Sequence, residues 1–334
     1  MAIVTLTGWP QPITVEAGET ILDAALAAGV PFPHGCRSGN CGACKSRVLS
    51  GEVDLAPVSE YALSDAERQA GLVLACRSLA WEDCSLAWLE ADAVALHRLC
   101  RLETRVQSVT PLTHDTVEVA LAIDAGGPFT FTAGQYASLS FPGLPPRDYS
   151  MANAPDEAVL RFHIRRVPGG AVSVYATQAL TPGTMVTVEG PFGTAHLRSD
   201  HTGPVLAIAG GSGLAPIQSI VTSLLASDPQ RAVFLYHGVR TPADAYGSAW
   251  LADLTRSDHV TTHVEVAADG LMLHQRIAAD FAAGLPAGAK AYVAGPPAMV
   301  DAVSAVLHSL GLAQADIHAD AFYTSADRPA VAAS

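Results

Sequence analysis

Four cysteines in the first quarter of the chain constrain its fold more than any other feature. Cys36, Cys41 and Cys44 lie within nine residues with the spacing C-x4-C-x2-C, and Cys76 follows after 31 further residues. A disulfide between any two of the first three would leave the third crowded against them. The chain has 334 residues and six cysteines, none in the last 234, whereas disulfide frameworks are spread over small secreted folds. The pattern therefore predicts a metal or cluster site.

The spacing of these cysteines favours an iron–sulfur cluster over zinc. Four thiolates can hold a [2Fe–2S] cluster, and C-x4-C-x2-C with a distant fourth Cys is the plant-type ferredoxin spacing. Small intervening residues such as Ser38, Gly39 and Gly42 let backbone N–H groups turn towards the sulfurs. The alternative is a zinc site, but zinc loops usually pair two C-x2-C knuckles, and here there is one. We predict a cluster whose ligands are Cys36, Cys41, Cys44 and Cys76.

Composition and charge exclude several classes of protein. The chain is 49% hydrophobic and 15% charged, which excludes a disordered or fibrous chain. Its net charge of −13 argues against a nucleic-acid or anionic-membrane partner. It contains no apolar run near the roughly 20 residues of a membrane span, and its N-terminus does not resemble a secretory signal. We expect a cytoplasmic monomer that binds neither nucleic acid nor membrane.

Hydrophobic patterning divides the chain into three regions. Residues 1–93 mix short alternating runs with amphipathic helices, and residues 94–101 are a plausible linker. Residues 102–200 contain closely spaced short strands separated by Gly/Pro turns, which predicts a small antiparallel barrel. In residues 203–324 apolar strands alternate with helices, which predicts a parallel α/β sheet, and residues 325–334 read as a flexible tail.

Two motifs of the second region carry groups that suit a flavin. The segment Arg147-Asp148-Tyr149-Ser150 supplies a cation, an aromatic ring and a hydroxyl after a predicted barrel strand. The next strand carries His163-Ile164-Arg165. Gly169 and Gly170 then open a helix that contains Ser173, and backbone N–H groups at a helix start with a nearby hydroxyl make a phosphate site.

The third region begins with a glycine-rich turn between a strand and a helix. Its sequence, VLAIAGGSGLAP from Val205 to Pro216, places Pro at the first helical position. Glycines let a ligand approach the backbone, and a helix N-terminus favours a diphosphate. Further turns follow two later strands. The candidate nucleotide-binding residues are Gly210, Gly211, Ser212, Gly213, Pro216, Gly238, Arg240, Gly295, Pro296, Pro297 and Met299.

These motifs together resemble a known family. HGCRSGNCGACKSRVLSGEV followed by LACRS resembles the [2Fe–2S] domain of plant-type ferredoxins, and residues 1–324 resemble the ferredoxin–NADP reductase superfamily, through R-x-Y-S and GG[ST]G-x-AP. The type that it is most similar to is the FAD- and [2Fe–2S]-containing reductase of bacterial multicomponent oxygenases. The resemblance implies a multidomain chain: an α+β β-grasp ferredoxin domain, an antiparallel β-barrel flavin domain and an α/β parallel-sheet nicotinamide domain.

The resemblance also implies the cofactors and the roles of several residues. The chain would be an NAD(P)H-dependent oxidoreductase, with FAD rather than FMN because the ferredoxin domain comes first. Arg147 would bind the FAD diphosphate, Tyr149 would lie against the flavin ring and Ser150 near N5, with the diphosphate against the Gly169–Ser173 element. Phe322, with Tyr323 as the alternative, would cover the other flavin face. The residues implied to act catalytically are Ser150, Tyr149 and Phe322.

One departure from the family pattern concerns the nicotinamide. Ala294 occupies the position where the family usually has Cys, near the nicotinamide C4. Arg240 could meet the 2′-phosphate of NADPH, but Asp244 nearby would oppose a phosphate. We expect NADH to be preferred, with NADPH as the alternative.

The resemblance implies a protein as the electron acceptor. We predict a Rieske-type aromatic-ring-hydroxylating oxygenase or its ferredoxin, with a soluble di-iron monooxygenase as the alternative. A stand-alone flavin reductase with a docking N-terminal domain is the further alternative. Residues 1–94 carry twelve Asp and Glu against five Lys and Arg, a net of −7, which suggests an acidic face beside the cluster that meets a basic acceptor surface.

Overall fold

The computed structural model describes residues 1–30, 32–34, 37, 39, 42–58, 62–63, 65–88 and 97–323. The predicted ligands Cys36 and Cys41, most of the predicted linker and the predicted tail lie outside these residues. The described chain divides into two compact units. The first contains residues up to Trp88 with 192–194 and Tyr323, and the second contains His97–Pro191 and Ala195–Phe322. The barrel and the α/β region therefore belong to one unit.

The first unit is an α+β fold around a mixed sheet. Its elements are β1 (Ala2–Leu6), β2 (Ile13–Val15), α1 (Ile21–Ala27), β3 (Lys45–Ser50), β4 (Val53–Leu55), α2 (Asp65–Gln69), β5 (Leu72–Leu74), β6 (Ser78–Ala80) and β7 (Cys84–Trp88). The sheet has the order β2-β1-β7-β3-β5, in which β1 and β7 are parallel, and β4 pairs with β6 separately. At the start of α1 the Thr20 hydroxyl accepts the Asp23 N–H and so caps the helix. The apolar face of α1 covers the sheet through Ile21 and Leu22.

The first part of the second unit is an antiparallel sheet that nearly closes. Its elements are β8 (Cys100–Pro111), β9 (Thr116–Ala125), β10 (Tyr136–Ser140), β11 (Arg147–Ser150), β12 (Val159–Arg165), α3 (Ala171–Gln178) and β13 (Met185–Phe192). The strand order is β11-β10-β13-β8-β9-β12, and a bridge between Met151 and Phe162 brings the two edges together. Inward apolar residues fill the interior, as the alternating pattern predicts.

The second part is a five-stranded parallel sheet covered by helices. Its elements are β14 (Val205–Gly210), α4 (Leu214–Ser227), β15 (Val233–Val239), α5 (Ser248–Leu254), β16 (Val260–Val266), α6 (Leu273–Asp280), β17 (Lys290–Gly295), α7 (Pro297–Ser309) and β18 (Ile317–Ala321). Both faces of β14 are buried, with Val205, Ala207 and Ala209 in one core and Leu206 and Ile208 in another.

The order of these parallel strands locates a crevice. The order is β16-β15-β14-β17-β18, so the chain leaves β14 in one direction and later continues from β17 in the other. In open α/β sheets ligands bind at the carboxyl ends of the strands where the order reverses. Here that point lies between Gly210 and Gly295. Within the described residues, none of the helices has the length and apolar character that crossing a membrane requires.

Candidate functional site

The first unit brings together the two predicted cluster ligands that the structure describes. Cys44 directly precedes β3 and Cys76 follows β5, and the antiparallel pairing of Lys45 with Leu74 places both cysteines at one end of the sheet. The backbone N–H of Cys76 donates to Cys44 Sγ at 3.4 Å, and both side chains are buried. The cysteine sulfurs that bind an iron–sulfur cluster typically accept hydrogen bonds from backbone N–H groups. Cys44 and Cys76 therefore fit the predicted [2Fe–2S] cluster.

Positive charge follows the cysteines in the first unit. Arg37, Lys45 and Arg77 each come directly after a predicted ligand, so this end of the sheet carries three cations. The nearby carboxylates are paired with them, since Arg37 Nη2 lies 2.7 Å from Asp23 Oδ1 and Lys45 Nζ lies 2.6 Å from Glu67 Oε1. The surface beside the cysteines is therefore more balanced than the net charge of the region suggests.

Several other described carboxylates of the first unit lie towards the opposite end of the sheet. Strand register places the end of β2, the β3–β4 turn and the start of β7 there, away from Cys44. Among the described residues, no cation lies within ion-pair distance of the acidic residues of these segments, which are Glu16, Glu19, Glu52, Asp54, Glu82 and Asp83. The described carboxylates therefore do not form the predicted acidic face beside the cluster. The prediction was based on composition, which gives the net charge of a region but not where the charges lie.

In the second unit, the R-x-Y-S segment forms β11 at one edge of the nearly closed sheet. Arg147 is exposed, and its guanidinium donates to the Pro146 carbonyl at 2.7 Å. Tyr149 is half-buried, and burial raises its pKa to about 12, so the phenol stays neutral. Ser150 is buried, and its hydroxyl donates to Asp320 Oδ2 at 3.2 Å. The three predicted groups are therefore presented along one short strand.

Asp320 is a residue of this site that the sequence reasoning missed. It lies on β18, 170 residues from Ser150. Burial, together with the nearby Asp148 carboxylate, raises its pKa to about 6 against the opposing hydrogen bond from Ser150. Asp320 therefore exchanges a proton close to neutral pH. An acidic residue on the last strand of an apolar sheet, two residues before the predicted aromatic Phe322, is the signal that could have indicated it.

The strand β12 and the start of α3 place the other predicted flavin residues. The Ile164 side chain lies in the barrel core, and His163 is buried with its Nδ1 3.2 Å from the Tyr246 hydroxyl. Ser173 Oγ accepts the Val167 N–H at 3.0 Å and donates to the Gly170 carbonyl at 3.1 Å. This hydroxyl thus closes the turn that precedes α3. No side chain caps the first N–H groups of that helix, which leaves them directed at the predicted phosphate site.

Glycines bring the ends of β14 and β17 into close contact. A Cβ on Gly213 would lie 2.1 Å from the Ala294 carbonyl oxygen, so only glycine allows this approach. Gly211 has a φ of +54°, in the left-handed region, and starts a 3₁₀ turn that leads into α4. The predicted residues Gly210, Pro296 and Met299 pack together at the same point, since a Cβ on Gly210 would lie within 3 Å of both side chains.

Pro216 lies further into the helix than the sequence predicts. The helix α4 begins at Leu214, so Pro216 occupies its third position instead of its first. The 3₁₀ turn before Leu214 accounts for the difference, because it shifts the start of α-helical geometry. Proline is tolerated there, since the N–H groups of the first turn have no partner within the helix.

The turn after β15 contains the predicted adenosine-side residues. Arg240 is exposed, and Gly238 packs against Leu273, from which an added Cβ would be 3.0 Å away. Asp244 is buried and accepts hydrogen bonds from the Thr241 N–H and hydroxyl at 3.0 and 2.9 Å. Asp244 also lies 3.4 Å from Arg165 Nη2. Its carboxylate is therefore held by Thr241 and Arg165.

The predicted aromatic residues follow β18. The Phe322 N–H donates to the Gly295 carbonyl at 2.8 Å, and its half-buried ring packs against the core of the parallel sheet. Phe322 is therefore tied to the carboxyl end of β17, close to the predicted nicotinamide turn. Tyr323 belongs to the first unit.

The family models that match the chain cover three successive segments. Residues 4–80 match the 2Fe-2S iron-sulfur cluster binding domain, residues 103–197 match the oxidoreductase FAD-binding domain, and residues 207–305 match the oxidoreductase NAD-binding domain. These matches confirm the predicted fold classes and the cofactors, which are a [2Fe–2S] cluster, FAD and a nicotinamide dinucleotide.

Relatives with established names cover nearly the whole chain. The reductase component of the naphthalene 1,2-dioxygenase system of Pseudomonas putida is 38% identical over 93% of this chain and 95% of its own length. The reductase subunit of an aromatic O-demethylase from Amycolatopsis is 38% identical over 87% of this chain and 90% of its own. A propane 2-monooxygenase reductase component from Mycolicibacterium smegmatis is 34% identical over 92% and 93%.

Two solved structures match nearly the whole chain. An Amycolatopsis cytochrome P450 reductase has a TM-score of 0.79 at 36% identity, covering 96% of this chain and 99% of its own. The ferredoxin reductase of carbazole 1,9a-dioxygenase has a TM-score of 0.71 at 31% identity, covering 96% and 98%. The predicted activity, an NAD(P)H-dependent iron–sulfur flavoprotein oxidoreductase, is therefore confirmed.

Proposed function

This chain belongs to the ferredoxin–NADP reductase superfamily, in the group that joins a [2Fe–2S] domain to FAD- and NAD-binding domains, and from this membership we propose that it is the reductase component of an aromatic-ring-hydroxylating dioxygenase system. The observation that carries the proposal is the 38% identity to a naphthalene dioxygenase reductase over 93% of the chain. The acceptor would be the Rieske-type oxygenase or its ferredoxin, and the reductase would not contact the aromatic substrate.

The cofactors divide the chemistry between the two units. When bound, FAD takes up a hydride equivalent from the nicotinamide, and the cluster passes electrons on singly. The second unit offers the residues for the first task, and the first unit offers Cys44 and Cys76, with Cys36 and Cys41, for the second. The domain boundaries that we propose are 1–93, 102–200 and 203–324.

We assign the flavin to the strand that carries Tyr149 and Ser150. The neutral phenol of Tyr149 offers a flat apolar face, and Arg147, being exposed, is free to turn its guanidinium to a diphosphate. The uncapped N–H groups at the start of α3, after Gly169 and Gly170, are the second diphosphate contact. Phe322, held at the end of β17, would shield the other flavin face.

Ser150 and Asp320 are suited to move a proton at this site. The Ser150 hydroxyl already donates to Asp320 Oδ2, so a proton that Ser150 receives can pass to the Asp320 carboxylate. With a pKa raised to about 6 by burial, Asp320 takes up and releases that proton near neutral pH, which is the condition for efficient general acid–base transfer. Asp320 is proposed here as an additional catalytic residue.

The nicotinamide dinucleotide is assigned to the crevice between β14 and β17. The glycine turn Gly210–Gly213, at the N-terminal end of α4, offers N–H groups to the diphosphate, and Gly295 to Pro297 line the opposite wall. NADH remains the preferred donor in this proposal. NADPH is the alternative donor, and the exposed Arg240 is the candidate contact for its 2′-phosphate.

A cytochrome P450 is the second candidate acceptor. The observation that favours it is the Amycolatopsis P450 reductase structure, with a TM-score of 0.79 over 96% of this chain. A di-iron monooxygenase acceptor rests on the propane 2-monooxygenase relative at 34% identity. We further propose that the protein acts as a monomer in the cytoplasm.

A panel of acceptors tests the proposal. The holoprotein is reduced with NADH, and electron transfer is followed to a Rieske ferredoxin, a Rieske oxygenase, a P450 and a di-iron hydroxylase. We expect the Rieske proteins to be reduced fastest. Faster reduction of the P450 or the di-iron protein would replace the dioxygenase assignment, and transfer to none of them would favour a stand-alone flavin reductase.

A further inference from the structure

One backbone carbonyl in the nucleotide-binding turn is held by two buried side chains. The carbonyl oxygen of Gly211 lies 3.2 Å from His237 Nε2 and 3.4 Å from the Tyr246 hydroxyl. It also accepts the Leu214 N–H, which closes the 3₁₀ turn. Because the two side chains come from β15 and from the segment before α5, they fix the turn from elements outside it.

Both side chains are donors towards Gly211. His237 is fully buried, and burial lowers its pKa to about 4, so the ring is neutral and carries one N–H. Its Nδ1 has no hydrogen-bond partner among the described residues, so the hydrogen belongs on Nε2, facing Gly211. Burial also raises the pKa of Tyr246, which therefore stays a neutral phenol and a donor.

A third residue connects this arrangement to the barrel. The Tyr246 hydroxyl donates to Gly211 and can accept from Nδ1 of His163, 3.2 Å away on β12. His163 Nε2 lies 3.8 Å from Glu118 Oε2 on β9. Both histidine rings meet the Tyr246 ring edge to face, with centroids 5.3 Å away for His163 and 5.6 Å away for His237. Side chains of the barrel thus reach the glycine turn through Tyr246.

Because the peptide group is planar, fixing the Gly211 carbonyl also fixes the direction of the Ser212 N–H. In a trans peptide the carbonyl of Gly211 and the N–H of Ser212 point in opposite directions. Since the carbonyl is directed at Tyr246 and His237 in the interior, the Ser212 N–H is directed away from them. That N–H precedes the start of α4, where the N–H groups of a helix favour an anion.

We propose that Tyr246 and His237 are positioning residues for the nicotinamide dinucleotide: by holding the Gly211 carbonyl on the buried side, they orient the Ser212 N–H, at the N-terminal end of α4, for the diphosphate. His163 extends this support from the flavin barrel. The inference rests on the proposed nucleotide site. In this proposal neither side chain contacts the dinucleotide. His237 acts through Nε2 alone, which is consistent with an Nδ1 that has no hydrogen-bond partner among the described residues.

The test compares two tyrosines that each lose one buried hydrogen bond. Tyr246→Phe removes the hydroxyl that meets Gly211 and keeps the ring. Tyr236→Phe is the matched control, because Tyr236 is also buried, lies next to His237 on β15 and donates to Asp280 Oδ2 at 3.0 Å, away from Gly211. Binding of ADP-ribose to each holoprotein is measured by isothermal titration calorimetry, with thermal unfolding of the same samples.

We expect the dissociation constant for ADP-ribose to rise about three- to tenfold in Tyr246→Phe, which corresponds to the loss of one net hydrogen bond. In Tyr236→Phe the dissociation constant should stay within about twofold of the wild-type value. The KM for NADH should rise in parallel, while flavin reduction at saturating NADH changes less than about twofold. Equal dissociation constants in the wild type and Tyr246→Phe, or the same weakening in both variants, would overturn the inference. Wild-type protein that binds neither ADP-ribose nor NADH would instead refute the nucleotide site itself.

Two substitutions of His237 provide an independent measurement. A glutamine side chain can still donate to Gly211, whereas leucine cannot. His237→Gln should therefore bind ADP-ribose more tightly than His237→Leu by at least about threefold. Equal affinity in the two variants would mean that the donor to Gly211 has no positioning role.

Discussion

The cysteine end of the first unit and the strand-end crevice of the second unit handle charge in different ways. At the cysteine end, Arg37 and Lys45 are paired with Asp23 and Glu67 at the surface, where ion pairs are weak and sensitive to salt. In the second unit, burial shifts the pKa of polar side chains: it raises the pKa of Asp320 and lowers that of His237. The function of the cysteine end therefore depends on its sulfur ligands, whereas the function of the crevice depends on where individual protons and N–H groups are placed.

The largest effect is expected from loss of a cluster ligand. Cys76→Ser removes a thiolate beside Cys44 and should lower NADH-dependent cytochrome c reduction more than about 100-fold, because the outlet for single electrons is lost. NADH–ferricyanide turnover, which reports the flavin, should stay within about twofold. Cys84→Ser is the control, since that buried thiol lies at the other end of the sheet. If cytochrome c reduction survives in Cys76→Ser, the first unit is not the electron outlet.

The Ser150–Asp320 pair gives the next effect. Asp320→Asn keeps the size of the side chain but cannot accept a proton, so cytochrome c reduction at pH 7 should fall by roughly 100-fold. In the wild type the rate should rise as pH passes about 6, because below the raised pKa Asp320 is protonated and above it the carboxylate can accept. The pH–rate profile of Asp320→Asn should lack this rise.

The control for that profile is Asp316→Asn. Asp316 precedes the same strand and pairs with Lys290, away from Ser150. A rise near pH 6 that persists in Asp320→Asn, or that disappears in Asp316→Asn, would assign the titration to another group.

A smaller effect concerns the choice of dinucleotide. Arg240 is exposed and is the candidate contact for the 2′-phosphate, so Arg240→Ala should lower kcat/KM for NADPH about tenfold while that for NADH changes less than about twofold. Arg256→Ala is the matched control, because Arg256 is an exposed arginine of the same unit that pairs with Asp253. An equal decrease of kcat/KM for both dinucleotides in Arg240→Ala would show that Arg240 does not bind the 2′-phosphate.

The smallest effect is expected at the acidic end of the first unit. Glu16→Gln with Glu52→Gln removes two charges far from Cys44, and at physiological salt the screening length is about 8 Å. The rate of cytochrome c reduction should therefore change less than about twofold. Asp23→Asn, which frees Arg37 at the cysteine end, should change it more. A larger effect from the distant pair would place the acceptor contact at the acidic end.

The features that could be predicted from the sequence are those encoded within short segments. The cysteine spacing and the R-x-Y-S strand each depend on neighbours a few residues apart. The GGSG turn was also located correctly, although its 3₁₀ geometry moved Pro216 to the third helical position. Local spacing was sufficient because the chemistry in these places is set by consecutive residues.

The features that could not be predicted join distant parts of the chain. Asp320 meets Ser150 across 170 residues, and Tyr246 meets His163 across 83, so no motif contains either pair. The ion pair of Asp244 with Arg165 likewise joins residues 79 positions apart, which the local sequence around Arg240 does not indicate. The position of charge could not be predicted for the same reason, since only strand register shows that Glu16 and Glu52 lie away from the cysteines.

Anaerobic titration with NADH, followed by absorbance and EPR, tests the central claim most directly. The account predicts that flavin absorbance bleaches, that absorbance beyond the flavin bands decreases, and that an EPR signal of a reduced [2Fe–2S] cluster appears. The signal should be absent in Cys76→Ser, in which the flavin still bleaches. A protein that bleaches only as a flavin, with no absorbance beyond those bands and no EPR signal, would contradict the account and indicate zinc at the cysteines.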